Sequence, residues 1–135
     1  LIESKVPANI SLSIASDAII IASKIIRNLE YIGVMGIEFF LTKSKQLLVN
    51  EMAPRVHNSG HWTQSGCIIS QFEQHIRAIT GSSIGDGKRH SNILMKNILG
   101  DKINNIKYDS ESSLNIYGKE EAKFNRKMGH LNIIK

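Results

Sequence analysis

Cysteine is almost absent. Cys67 stands alone, which excludes an intramolecular disulfide and fits a reducing, cytoplasmic compartment. Long apolar runs are missing as well. The longest stretch, Ile10 to Leu29, is interrupted by Ser13, Ser16, Asp17, Ser23, Lys24 and Arg27. No segment therefore reaches the roughly 18 residues of a membrane span, and none reads as a signal peptide. Two prolines and ten glycines in 135 residues exclude collagen-like and mucin-like chains, and no sustained heptad supports a coiled coil. Aromatics amount to 6%, and none is interleaved with basic residues as a stacking platform, which argues against an RNA-binding module. The chain starts at Leu1, inside what reads as structure, so the expectation is a piece of a longer protein. What remains is an ordinary composition, 41% apolar and 21% charged. That is enough for one packed domain, or a domain with a small appendage.

Charge is unevenly spread. Residues 1–87 hold seven basic and seven acidic side chains, whereas residues 88–135 hold ten basic and five acidic. The surplus suits nucleic acid, a membrane surface or a phosphorylated small molecule. Ile, Asn and Lys fill a third of the chain (22, 11 and 12 residues), and AT-rich codons alone would supply several of those lysines.

The periodicity predicts an α+β fold. Ile14, Ala18, Ile21, Ala22, Ile25 and Leu29 share one face of a helix over 9–30, with Pro7 just before its start. Residues 34–42 and 46–53 read as two strands joined by the polar Lys43-Ser44-Lys45, a β-hairpin ended by Pro54. Residues 55–66 lack periodicity and read as a loop. A second helix is expected over 69–79, with Ser70 and Glu73 at capping-box spacing and Gly81 as its stop. Residues 81–90 form the expected boundary. Beyond it, 92–99 and 114–117 read as strands of a small β-rich appendage, with 101–113 a surface loop or short helix.

If the hairpin is symmetric about Ser44 and Lys45, Thr42 faces Leu47, Phe40 faces Val49 and Glu38 faces Glu51, all six on one face. Two opposed carboxylates repel unless a cation neutralises them. Mg²⁺ prefers such oxygens together with substrate phosphates, so the pair suggests a Mg²⁺–nucleotide site. A register slip would instead leave both glutamates on a solvated face. The same alternation leads through Ala53 to Arg55. Arg55, His57, Asn58, Ser59 and His61 then fall within seven residues, with an arginine fork for a carboxylate or phosphate and further donors beside it. Gly60 would let the backbone approach a ligand. Zinc at His57 and His61 is disfavoured, because Asn58, Ser59 and Gly60 are poor helix formers and no third ligand is placed. His75 reads as structural, Cys67 as a small buried hydrophobe, and Trp62 as packing for the loop. Near the C-terminus, Lys119, Arg126 and Lys127 offer point charges and a fork to a phosphate, or form a solvated basic tail.

Longer blocks narrow the choice. Asn50-Glu51-Met52-Ala53-Pro54-Arg55-Val56-His57-Asn58-Ser59-Gly60-His61-Trp62-Thr63, with Ser70-Gln71-Phe72-Glu73-Gln74-His75-Ile76-Arg77-Ala78, closely resembles the 5-(carboxyamino)imidazole ribonucleotide synthases. These are the ATPase subunits of phosphoribosylaminoimidazole carboxylase. Tyr117-Gly118-Lys119 and Arg126-Lys127-Met128-Gly129-His130 resemble that family's closing motif, so the likeness runs from about Pro7 to His130. It implies an ATP-grasp ligase of purine biosynthesis. Such enzymes use ATP and bicarbonate to carboxylate 5-aminoimidazole ribonucleotide through carboxyphosphate. The resemblance places Mg²⁺ (or Mn²⁺) on Glu38 and Glu51, and ATP at Asn50 and Glu51. It places catalysis at Arg55 and His57, and substrate at Arg55, His57, Asn58, Lys119, Arg126 and Lys127.

It also implies a partial second ATP-grasp subdomain over 1–85 and a small C-terminal domain over 86–135. A homodimeric parent is implied, with its glycine-rich loop and ATP lysines upstream and no activity in this piece alone. Another ATP-grasp carboxylase or ligase is the neighbouring alternative. Three features depart from the patterns. Val56 replaces a usual proline, Ser82-Ser83-Ile84-Gly85 replaces Leu-Pro-Leu-Gly, and Glu51-Met52-Ala53 lacks the Glu-x-Asn of many ATP-grasp enzymes.

Overall fold

A computed structural model describes residues 1–135. The elements run β1 (Glu3–Val6), α1 (Leu12–Asn28), β2 (Gly36–Leu41), β3 (Leu47–Ala53), a 3₁₀ turn (Asn58–Gly60), α2 (Thr63–Gly66), α3 (Gln71–Ile79), β4 (Ile93–Leu99), a second 3₁₀ segment (Gly100–Asn105), β5 (Ser112–Ile116) and β6 (Lys127–Ile134). No helix is long and apolar enough to cross a membrane. The chain divides into two compact units, and the division does not follow sequence order. One comprises Leu1–Pro7, His61–Ser70 and Gly87–Lys135; the other comprises Ala8–Gly60 and Gln71–Asp86.

The first unit is a four-stranded antiparallel sheet of order β1-β4-β6-β5. Both central strands, β4 and β6, have their ladders filled on two sides. Ile93, Met95, Ile98, Met128 and Leu131 are buried there, and α2 packs against β6. Within this unit Asn132 Nδ2 donates to the His61 carbonyl and to Ser65 Oγ, both at 3.2 Å. Cys67 is buried as expected. Burial pushes its thiol up, against a smaller opposing pull from Arg89, so it is no thiolate nucleophile.

The second unit holds the expected helices and hairpin. α1 begins at Leu12, later than the apolar pattern suggested, because Ser11 is extended and its Oγ accepts from the Ile14 amide at 3.3 Å, a side-chain N-cap. Its predicted face is half-buried, except that Leu29 is exposed. α3 ends where Gly81 adopts φ +69°, the left-handed residue that commonly closes a helix. His75 has the structural role expected of it: its Nδ1 accepts from the Val34 amide at 3.0 Å.

The hairpin corrects the predicted register. The Thr42 carbonyl accepts from Lys45 N at 3.0 Å, and Lys45 adopts φ +63°. The tip is therefore a three-residue loop centred on Ser44. Leu41 pairs with Leu47, Phe40 with Leu48 and Phe39 with Val49, one step away from the expected Phe40–Val49 and Thr42–Leu47 pairs. A bulge between Glu38 and Phe39 then restores the step, so that Glu38 pairs with Glu51, Ile37 with Met52 and Gly36 with Ala53. Leu47 and Val49 accordingly lie on the face opposite the glutamates.

Candidate functional site

Asn50 is the extra residue of that bulge. Simple alternation would send Asn50 and Glu51 to opposite faces. A bulge sets two residues of one strand against one of its partner, and here Asn50 and Glu51 both confront Glu38. Asn50 Nδ2 reaches Glu38 Oε2 at 3.5 Å. The carboxylates of Glu38 and Glu51 share a face on neighbouring antiparallel strands, as the sequence suggested.

The sequence did not show how His57 joins them. Its Nε2 lies 2.9 Å from Glu51 Oε1 and its Nδ1 3.4 Å from Glu38 Oε1. Ser59 Oγ lies 2.8 Å from Nδ1, and the Ser59 amide approaches the same atom at 3.4 Å. With a proton on Nε2, Nε2–H donates to Glu51 while Nδ1 accepts from Ser59, and the 3.4 Å approach of Nδ1 to Glu38 is not a hydrogen bond. One ligand atom each from Glu38, Glu51 and His57 lies within 4.8 Å of the others. His57 is the least exposed of the three side chains at 13%, against 30% for Glu38 and 54% for Glu51.

The imidazole is held from behind. The buried Gln71 side chain accepts from the His57 amide at 3.0 Å and donates to the His57 carbonyl at 2.8 Å. A single primary amide thus satisfies both backbone groups of the residue between the carboxylates. This positioning residue was missed, because a glutamine at the head of a helix carries no pattern of its own. Gly60 also serves this clamp. A Cβ there would lie 2.6 Å from Gln71 Oε1, so the glycine makes room for the clamp. At Gly36 a Cβ would meet His57 Cβ at 2.6 Å; only glycine lets His57 lie that close to β2.

The other expected site residues have contacts of their own. Arg55 has left the strand through a tight turn, its amide donating to the Ala53 carbonyl at 2.7 Å. Its Nη1 donates to the Val56 carbonyl at 2.9 Å. Asn58 opens the 3₁₀ turn. Lys119, Arg126 and Lys127 belong to the other unit. There Lys119 Nζ donates to the Lys127 carbonyl at 2.8 Å, and Arg126 Nη1 to the Glu121 carbonyl at 3.2 Å.

Two carboxylates with a hydrogen-bonded imidazole form a donor set suited to a hard divalent ion. Oxygen ligands suit Mg²⁺ and Mn²⁺, and Mg²⁺ commonly takes only one or two protein carboxylates, with phosphate and water completing its shell. The residues present therefore fit such an ion, with Glu38 and Glu51 as holders.

Comparison with known proteins identifies the family. The family model described as ATP-grasp domain matches residues 1–72, and that of the phosphoribosylaminoimidazole carboxylase C-terminal domain matches residues 94–135. The chain is similar to N5-carboxyaminoimidazole ribonucleotide synthase of Brucella melitensis, at 50% identity over 98% of this chain and 37% of that protein. It is similar to the Bacillus subtilis synthase at 44% identity, over 100% of this chain and 37% of that protein. Among solved structures, that of the Aspergillus clavatus N5-carboxyaminoimidazole synthase in complex with ADP and 5-aminoimidazole ribonucleotide superposes with a TM-score of 0.91. Its identity is 32%, over 99% of this chain and 39% of that one. The chain thus spans little more than a third of the length of these relatives. With both family models matched along it, the chain belongs to the ATP-grasp family, in the branch that carries the phosphoribosylaminoimidazole carboxylase C-terminal domain.

Proposed function

We propose that this chain is the C-terminal part of an N5-carboxyaminoimidazole ribonucleotide synthase. The parent enzyme uses ATP to join bicarbonate to the amine of 5-aminoimidazole ribonucleotide, releasing ADP and phosphate. The observation that carries this reading is the Glu38–His57–Glu51 cluster at the bulge, within the span similar to enzymes of that name. A relative binds ADP and the ribonucleotide, which supports the same ligands here. We assign residues 1–85 to the second ATP-grasp subdomain and 86–135 to the small C-terminal domain, in a homodimeric parent, with Leu1–Pro7 and His61–Ser70 of the first folding into the compact unit of the second.

The roles follow from the donors. Glu38 and Glu51 hold Mg²⁺ (or Mn²⁺), and Asn50 and Glu51 face the nucleotide. When bound, the ion neutralises charge on the phosphoryl group being transferred. His57, fixed by Gln71, orients Glu51. Arg55 and Asn58 offer their fork and amide to the bicarbonate-derived carboxylate, while Lys119, Arg126 and Lys127 receive the ribonucleotide phosphate.

The test joins residues 1–135 behind the N-terminal part of the Bacillus subtilis relative. The hybrid should release ADP in a reaction that depends on bicarbonate and is stimulated by the ribonucleotide. Glu51→Gln should lower that rate by about a hundredfold or more. Residues 1–135 alone should release no ADP above background, because one wall of a site forfeits the positioning on which catalysis depends. A folded hybrid without ribonucleotide-stimulated turnover would sink the assignment.

A further inference from the structure

The sheet unit contains a group the proposed chemistry does not use. His130, on β6, lies opposite Asn97 of β4 and Asn115 of β5 and is 2% exposed. Its Nδ1 is 2.9 Å from Tyr117 Oη. The His61 ring packs at 5.0 Å from the His130 ring and 6.1 Å from that of Tyr117. Tyr117 directly follows β5, its amide donating to the Met128 carbonyl at 2.9 Å. Gly118 then takes φ +63° and turns the chain back. This brings Lys119 Nζ to 5.6 Å from the Tyr117 ring centroid, within cation–π range, while it donates to the Lys127 carbonyl.

A lysine normally keeps its long stem mobile and loses that freedom when it takes a ligand. Here two attachments restrict the ammonium before any ligand arrives. One of them, the tyrosine ring, is anchored through its hydroxyl to a buried histidine. We propose that Tyr117 and His130 are positioning residues for Lys119, holding its ammonium in place for a phosphate monoester. The choice of ligand rests on the reading of Lys119 given above; the positioning itself rests on the Tyr117–His130 geometry. Preorganisation of this kind raises affinity by lowering the ordering cost of binding.

Two readouts on residues 1–135 separate these statements. The first is the proton shift of the Lys119 ε-methylene, which the Tyr117 ring current should move upfield. Tyr117→Phe keeps the ring and removes the hydroxyl, and its amide spectrum reports whether the fold is intact. The upfield shift should largely disappear in this variant. The second readout is titration with inorganic phosphate. Tyr117→Phe should weaken binding roughly two- to tenfold, the range of one neutral hydrogen bond, and Lys119→Ala roughly ten- to a hundredfold. An unchanged Lys119 shift in folded Tyr117→Phe would overturn the positioning role. A lost shift with phosphate affinity unmoved by either substitution would uphold the positioning and overturn the phosphate reading.

Discussion

The two compact units bury their residues very differently. In the sheet unit, Ile93, Met95, His130 and Asn132 are all less than 2% or about 2% exposed, and β4 and β6 are covered on both edges. In the helix–hairpin unit only Ala53 and Gln71 are buried. α1 has no buried residue, and Phe40, Leu48 and Met52 of the hairpin are each more than half exposed. The acidic cluster belongs to this second, loosely covered unit. Within residues 1–135 the Glu38–His57–Glu51 cluster is therefore carried on a two-stranded ladder, an element of marginal stability by itself, and its geometry comes from local devices: the bulge, the Gln71 clamp and the glycine at 36. The sheet unit instead draws on burial, and its enclosed polar groups are set by packing.

Amide hydrogen exchange gives the sharpest contrast. Amides of β4 and β6 should exchange about a thousandfold or more slowly than those of α1 and the hairpin, because local opening spans the range from near zero to the global stability. Equal protection in both units would break the comparison. Next come paired truncations. Met95→Ala, at a fully enclosed position, should cost about 2–5 kcal/mol, and Ile20→Ala, half exposed on α1, about 0.5 kcal/mol, both read by denaturant melts.

Acid should then act on the sheet unit. Burial, with a smaller contribution from His61, lowers His130 to about 4 from an ordinary value of 6.5. The unfolded chain takes the proton first, so stability is lost as pH falls from about 6.5 to 4. The loss should be on the order of 2–3 kcal/mol and absent in a folded His130→Gln variant. The smallest effect is expected at the solvent-facing pair on α3, where Arg77 Nη2 donates to Glu73 Oε1 at 2.6 Å. Glu73→Gln should cost about 0.3–0.5 kcal/mol and less in high salt; a loss above 1 kcal/mol would show that the pair is not merely a surface contact.

Local patterns were legible and non-local ones were not. The apolar stripe of α1 and the hairpin could be read from nearby residues. β1 could not: Glu3-Ser4-Lys5-Val6 has no periodic signal and becomes a strand by pairing with Ile93–Lys96, some ninety residues on. β6 was hidden for the opposite reason. Its inward-facing His130 and Asn132 are polar, so the usual link between hydropathy and burial fails there. In the site, the two carboxylates were placed opposite one another by a register that fails at the hairpin tip, and only the bulge, which carries no sequence signal here, restores it at Glu38 and Glu51. The place of His57 between them depends on a 3₁₀ turn and on Gln71, which lies fourteen residues further along.

The bulge at Asn50 joins two registers in one hairpin. The tip pairs Leu41 with Leu47, and the base pairs Glu38 with Glu51. The extra residue uncouples the two, as a slip clutch separates a wheel from its shaft. The turn at 43–45 therefore meets only the tip register, while the facing of Glu38 and Glu51 is set by the base register beyond the extra residue, although both belong to the same two strands.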